Sequence, residues 1–206
     1  MAGAPDPRNR FGAAGGGLID APWAVNAQVA RIGREAEIRT SRLLETRRPD
    51  RTAVLHDVAI PAAGYTANID HILLSGRTVV LIDTKAWKPG RYWTLLGVHR
   101  RGWRRFPHAN TKTPAMARDR IARYLAGLGV HAMVLTPLVA VWPSSASARV
   151  NVRWLRMNQC RALPAERLPA RVARIAGNNP PDPQVLAVLR ELVGKTGSPA
   201  SRARTR

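Results

Sequence analysis

The sequence predicts an α/β domain in which helices cover a central sheet, and three observations carry that expectation. Apolar residues recur at helical spacing up to about residue 47, after which the pattern changes to short runs of strand character. Helix, three strands, further strands, helix and strand then follow one another along the chain. Finally, 206 residues with 45% hydrophobic content are enough to bury one core.

Taken in order, residues 1–20 hold few bulky apolar side chains and much Gly, Ala and Pro, which predicts a flexible N-terminal arm. The folded body is expected over 21–193. Pro22 suits a first helical turn, and Val25, Val29, Ile32, Ala36 and Leu43 form an apolar stripe reaching about Arg47. Three strand-like runs follow at 53–61, 66–75 and 77–85, the last two joined by a tight turn at Ser75-Gly76. Shorter strands are expected at 91–95 and 98–104. Thr113-Pro114 opens a helix that runs to Gly127, with Ala117, Ile121, Tyr124, Leu125 and Leu128 on its apolar face. Strands at 138–142 and 148–154 come next, and short helices near 164–175 and 183–193 flank the break NNPPDP. Residues 194–206 carry four cations and no anion, a basic tail suited to loose phosphate contacts.

Charge narrows the function. There are 33 Lys and Arg against 13 Asp and Glu, a net charge of +20. That balance disfavours an acidic buffer, a cation store or a typical neutral metabolic enzyme. It favours a polyanionic partner, with nucleic acid ahead of an anionic membrane surface. A lone Cys160 excludes an intrachain disulfide and a Cys-based zinc site. No apolar run has the length of a membrane span and the first residues lack a secretory core, so a cytoplasmic protein is expected.

Side chains two apart on a strand share a face, so Asp83 and Lys85 in IDTK point the same way as Val79 and Leu81. On the preceding strand Asp70 shares its face with Asn68 and Ile72. If the two strands pair as a hairpin, the two carboxylates and the lysine converge. Carboxylates so placed repel unless a cation sits between them, and an all-oxygen site suits Mg²⁺, with Mn²⁺ also acceptable. The neighbouring lysine can then hold an attacking water or the transition-state charge of a phosphodiester. An isolated D-x-K is also compatible with a solvated Asp83–Lys85 ion pair. Both aspartates, however, follow apolar neighbours, where an unpaired charge is costly. Glu37 adds a third anion from the flank of the first helix's stripe, facing the sheet edge, where it either contributes to the metal shell or pairs with an arginine.

These residues carry a resemblance. GREAEIRTSRLLE, VLHDVAIP and NIDHILLSGRTVVLIDTKAWKPG resemble the nuclease-related domain family, part of the PD-(D/E)xK restriction-endonuclease-like superfamily, over about residues 31–145. The resemblance implies an αβββαβ core with a central mixed sheet between helices, and Mg²⁺-dependent DNA cleavage. By position, the family's helix glutamate is Glu37, its first aspartate is Asp70, and its D/E-x-K is Asp83, Thr84, Lys85. Asp70, Asp83, the Thr84 carbonyl and Glu37 are then the expected metal ligands, and Asp70, Asp83, Lys85 and Glu37 the catalytic set. Two positions depart from the family pattern: Ala36 replaces the usual Gly before the helix glutamate, and Ala117 stands where an amide is common.

From residue 84 to residue 118 there is no acidic side chain. Lys88, Arg91, Arg100, Arg101, Arg104 and Arg105 alternate there with Trp87, Trp93 and Trp103. Cations for phosphates beside aromatic faces for bases predict a nucleic-acid surface, with Trp87 among its contacts and DNA as the first-choice partner. The runner-up function is a catalytically weak or inactive nucleic-acid-binding module of the same fold.

Overall fold

The structure is a computed structural model that describes residues 9–15, 27–62, 67–109, 112–145 and 149–195. A short strand β1 (Arg10–Phe11) precedes helix α1 (Ala27–Arg47), and β2 (Ala53–Ala59), β3 (Asn68–Ser75) and β4 (Thr78–Trp87) follow as a meander. Next come β5 (Gly90–Leu95), β6 (Val98–Arg101) and β7 (Arg104–Arg105), then helix α2 (Thr113–Gly127). The chain ends with β8 (Met133–Val134), β9 (Leu138–Pro143), β10 (Val150–Trp154), β11 (Arg161–Pro164), α3 (Leu168–Ala176) and α4 (Pro183–Arg190).

A seven-stranded mixed sheet runs β1-β2-β3-β4-β9-β11, with β8 also paired to β4. β2, β3 and β4 are antiparallel neighbours, whereas β9 returns parallel to β4 and β11 lies parallel to β9. Gly76 at φ +55° makes the two-residue turn between Ser75 and Thr78 possible. Strand alternation divides the core. Val79 and Leu81 join Ile72, Leu74 and the α2 residues Ala117, Ile121 and Leu125 on one face. Val80 and Ile82 meet Leu44 of α1 and Leu168 and Val172 of α3 on the other. This is the helix-flanked mixed sheet of a restriction-endonuclease-like core.

Several details differ from the sequence expectations. The α1 stripe centres on Ala36, Thr40, Ser41 and Leu44, while Val29 is 52% exposed. Thr40 and Ser41 enter the core because their hydroxyls find partners there: Thr40 Oγ1 donates to the Ala36 carbonyl, and Ser41 Oγ donates to Glu45. The expected flexible arm gives way at Arg10 and Phe11, which pair in parallel with Val54 and Leu55, and Phe11 packs on the core. The remainder of that arm (1–8, 16–20) and residues 196–206 lie outside the described residues. Helix α2 starts as expected, but Lys112 occupies its cap position without a side-chain cap. β11 and a separate four-stranded sheet, β10-β5-β6-β7, go beyond the sequence pattern. Trp87, Tyr92, Val139, Val141, Val150 and Val152 form a third core cluster that welds this small sheet to the large one. No helix among the described residues is long and apolar enough to cross a membrane.

His56 and His71 face each other across β2 and β3, fully buried, with Nδ1 atoms 2.8 Å apart. Burial lowers both, His56 to about 4 despite the opposing pull of Glu45, whose Oε1 lies 3.2 Å from its Nε2. The unfolded chain binds a proton at an ordinary histidine pKa, so the folded state loses ground as pH falls from about 6.5 toward 4. For His56 alone the loss is on the order of 3 kcal/mol, complete below about pH 4. We expect Tm to drop across that interval and His56→Gln to flatten the drop, measured by thermal melts at fixed ionic strength. Equal pH slopes in the two proteins would exclude this pair as the source.

Candidate active site

β3 and β4 pair from Ser75↔Thr78 to His71↔Ile82, and one further step of that register sets Asp70 opposite Asp83. The backbone ladder stops there. Instead, the Thr84 N–H donates to Asp70 Oδ2 at 2.6 Å. Asp83 and Lys85 follow Val79 and Leu81 on the α2 side of the sheet. Asp70 adjoins them from β3, where strict alternation lapses, since Ile69 packs in the same cluster as Ile72 and Leu74. Lys85 Nζ donates to Asp83 Oδ1 at 2.9 Å while its side chain stays 39% exposed. Thr84 turns the other way, its hydroxyl donating to Thr40 Oγ1, which also accepts from Trp142 Nε1 at 2.7 Å. This buried knot ties α1 to the strand that carries Asp83 and Lys85.

The charges do not balance. Burial pushes Asp70 up to about 7, with the Asp83 charge adding and Lys85 opposing. Burial likewise pushes Glu37 up to about 9, aided by Asp70 and Asp83 and opposed by Lys85. Burial alone would lower the Lys85 ammonium, yet Asp83 and Asp70 outweigh it and hold the group above its ordinary value. Asp83 Oδ2 is buried with no hydrogen-bond partner among the described residues. Three carboxylates therefore share one ammonium, and an oxygen that should be satisfied is not. A hard cation with oxygen ligands fits this deficit. Among the described residues no three His, Cys, Asp or Glu side chains converge tightly enough to hold a metal. Glu37 lies within electrostatic reach of Asp70, Lys85 and Asp83.

Asp57 carries no motif that marks it in the sequence. The pairs His56↔His71 and Val58↔Ile69 bracket it, so Asp57, Asp70 and Asp83 stand in one row across three adjacent strands. Asp57 holds φ +53°, its carboxylate accepts from Asn68 Nδ2 at 2.6 Å, and its charge further raises Asp70 and Glu37. The available signal is an Asp inside a strand run that is otherwise apolar apart from His56, at a residue type that tolerates left-handed backbone.

Of the residues expected to meet nucleic acid, Lys88, Arg91, Arg104 and Arg105 are exposed and Arg100 and Arg101 half-buried. All but Lys88 lie on β5, β6 and β7. Arg100 stands opposite Arg105 and Arg101 opposite Arg104, two like-charge cross-strand pairs. Such pairs destabilise a sheet unless an anion lies over them. Trp87 does not belong to this surface: it is 8% exposed and packs against Tyr92 and Phe106 inside the third cluster. An aromatic residue between cations suggests surface, but at this strand position its face points to the core. The two departures from the family pattern, Ala36 and Ala117, are also core, at 3% and 2% exposure.

The helix-flanked mixed sheet, with two neighbouring strand carboxylates beside a lysine, is consistent with the nuclease-related class of restriction-endonuclease-like domains. The chain belongs to that class by sequence as well: residues 32–141, more than half of its length, match the family model described as the nuclease-related domain. Neither the curated proteins nor the solved structures contain a match to it.

The raised Asp70 carboxyl has a measurable consequence. Its folded pKa lies above the unfolded value, so the native state holds this proton more tightly, and stability falls as pH climbs from about 4 to about 7. Asp70→Asn removes the charge and keeps an acceptor for the Thr84 N–H. In metal-free buffer at pH 8 the variant should melt several degrees above the parent, with the gap closing toward pH 4. Parallel Tm–pH curves would contradict the charge deficit inferred for this row.

Proposed function

We propose that the protein is a Mg²⁺-dependent nuclease that hydrolyses phosphodiester bonds in DNA, working in the cytoplasm. The observation that carries this reading is the Asp70–Asp83 pair, short of counter-charge and flanked by Lys85. Asp70 and Asp83 would hold the cation together with the Thr84 carbonyl, Glu37 would complete the shell through a water, and Mn²⁺ would serve in its place. A bound Mg²⁺ supplies Lewis-acid stabilisation of the charge that develops on the phosphoryl oxygens. Lys85 has the remaining task. Its compact ammonium, anchored by Asp83 and partly open to solvent, positions the attacking water and adds positive charge where the phosphate becomes more anionic. Glu37, raised to about 9 mainly by burial, would retain its proton at neutral pH while no cation is bound.

The arginine face of β5–β7, together with Lys88, then tracks the DNA backbone. Cross-strand Arg pairs lose their mutual repulsion when phosphates lie over them, so the same contacts that bind the substrate also relieve the sheet. A second reading, a binding module of the same fold that cleaves poorly, draws support from Ala117, a buried methyl where the family pattern commonly has an amide. The two readings diverge in one assay.

Incubation of plasmid and single-stranded DNA with Mg²⁺, Mn²⁺ or EDTA should give cleavage with either metal and none with the chelator. Asp83→Ala should abolish cleavage while sparing or slightly improving DNA binding. Lys85→Arg should lose at least about tenfold in rate with folding and affinity unchanged, because a wide guanidinium fork cannot replace a compact ammonium that orients water. Cleavage that survives in EDTA would defeat the metal mechanism. Intact binding without cleavage under any condition would leave the binding-module reading.

DNA affinity should also fall steeply with salt. Replacing Arg100, Arg101, Arg104 and Arg105 by Ala should lower the slope of log K against log salt by roughly 3 to 4 for duplex DNA. A slope that is unchanged by removal of all four would place the phosphate contacts elsewhere.

A further inference from the structure

Beyond the family-matched segment, β10 is the outer strand of the small sheet and β11 the outer strand of the large one. The space between them, flanked by α3, is a cleft of about 1430 Å³. Seven arginines line it, among them Arg153, Arg156, Arg161, Arg167, Arg171 and Arg174, and no Asp or Glu among the described residues does. The sequence anticipates this imbalance: from residue 84 to residue 165 the chain holds a single acid, Asp119. Arg171 sits among like charges. Burial first, then Arg161 and Arg174, lowers its pKa, and its Nε is buried with no partner among the described residues. A polypeptide gains nothing from collecting unpaired guanidinium groups around a concave space unless an anion enters it.

A second cavity adjoins the first. About 510 Å³ in volume, it is lined by Trp93, Trp103 and Trp154 with Arg91 and Arg156, and Trp154 and Arg156 border both spaces. Trp103 is 87% exposed and Trp154 52%, an unusual display of large aromatic surface at one spot. The Trp93 and Trp103 rings stand perpendicular at 89° with centroids 6.2 Å apart, so they form a corner rather than a stack. Trp93 Nε1 is fixed to the Gly102 carbonyl at 2.8 Å, and Arg153 lies over Trp154 at 5.3 Å. Aromatic faces beside guanidinium groups match an unpaired base and its flanking phosphates. A base inside a duplex cannot reach such a corner.

We propose that the β10–β11 arginine cleft and the adjoining Trp93–Trp103–Trp154 corner form a binding track for single-stranded nucleic acid. The phosphates run along the arginines and an unstacked base occupies the corner. Cys160 belongs to the cleft wall. The inference rests on the nuclease reading for its ligand class, and it makes a strand with an unpaired segment the preferred substrate.

The test uses the full chain in EDTA, so that cleavage plays no part. Labelled oligo(dT), a duplex of equal length and inorganic polyphosphate are titrated in turn, with melting curves recorded for every variant. Oligo(dT) should bind more tightly than the duplex and quench tryptophan fluorescence. Trp154→Ala should lose roughly 5- to 150-fold in oligo(dT) affinity while polyphosphate binding holds. Arg153→Ala, Arg161→Ala and Arg174→Ala combined, all at exposed positions, should reduce the oligo(dT) salt slope by about 2. Variants that melt like the parent and bind oligo(dT) unchanged would overturn the track, as would a duplex preference indifferent to Trp154. Plasmid cleavage alongside such unaltered variants would leave the nuclease reading standing, whereas lost oligo(dT) binding without cleavage in any metal would remove that reading and keep the track.

Discussion

The site depends on where the β3–β4 ladder ends. The register runs from Ser75↔Thr78 through Ile72↔Leu81 to His71↔Ile82, and one more step would pair two aspartates. Like charges directly opposite on adjacent strands repel, and here one carboxylate instead takes the Thr84 N–H. One exchange of partner thus does two things. It satisfies a backbone donor in a buried place, and it fixes the Asp70 carboxylate beside Asp83. The helix follows from the same strand, because Thr84's own hydroxyl runs into α1 and reaches Thr40.

A row of anions inside a chain of net charge +20 is an electrostatic inversion. The surrounding arginines raise the local concentration of phosphates, and phosphates would be repelled at close range by Asp57, Asp70 and Asp83. In the function proposed above, a divalent cation would resolve the conflict, since it would neutralise the row and offer the phosphate a positive point of contact. From the chain itself, Lys85 brings positive charge to that balance by pairing with Asp83. It is one of four lysines among 33 basic residues, at a position where a longer, planar head group would reach past Asp83 Oδ1.

How much of this is legible in the sequence follows from the physics of each signal. The period of two places Asp70, Asp83 and Lys85 on their strands, and the antiparallel meander keeps that placement because its pairing is local. The end of α1 and the whole of α2 are legible from apolar spacing and from Pro114. The small sheet is not, because β10 pairs in parallel with β5 across a long intervening stretch of chain, and such pairing leaves no local mark. Trp87 misleads for a related reason: composition says that aromatics and cations alternate, but only the third core cluster decides which aromatic is buried. Asp57 is hidden because its left-handed φ breaks the alternation used to read β2.

The family-matched segment does not close its own core. β9 straddles the end of the family-matched residues, and both of its faces are covered by chain that comes afterwards. Leu138, Ala140 and Trp142 pack with Leu163, Ala165, Leu168 and Val172, while Val139 and Val141 pack with Val150, Val152 and Leu155. β9 is in turn the strand that holds β4 in place beyond the point where β3 lets go, through Asp83↔Val139 and Lys85↔Val141. The strand bearing Asp83 and Lys85 is therefore positioned by residues outside the matched segment. The same stretch that supplies this apolar cover also carries outward-facing arginines and Trp154, so support of the carboxylate row and the aromatic and cationic surface are built from one length of chain.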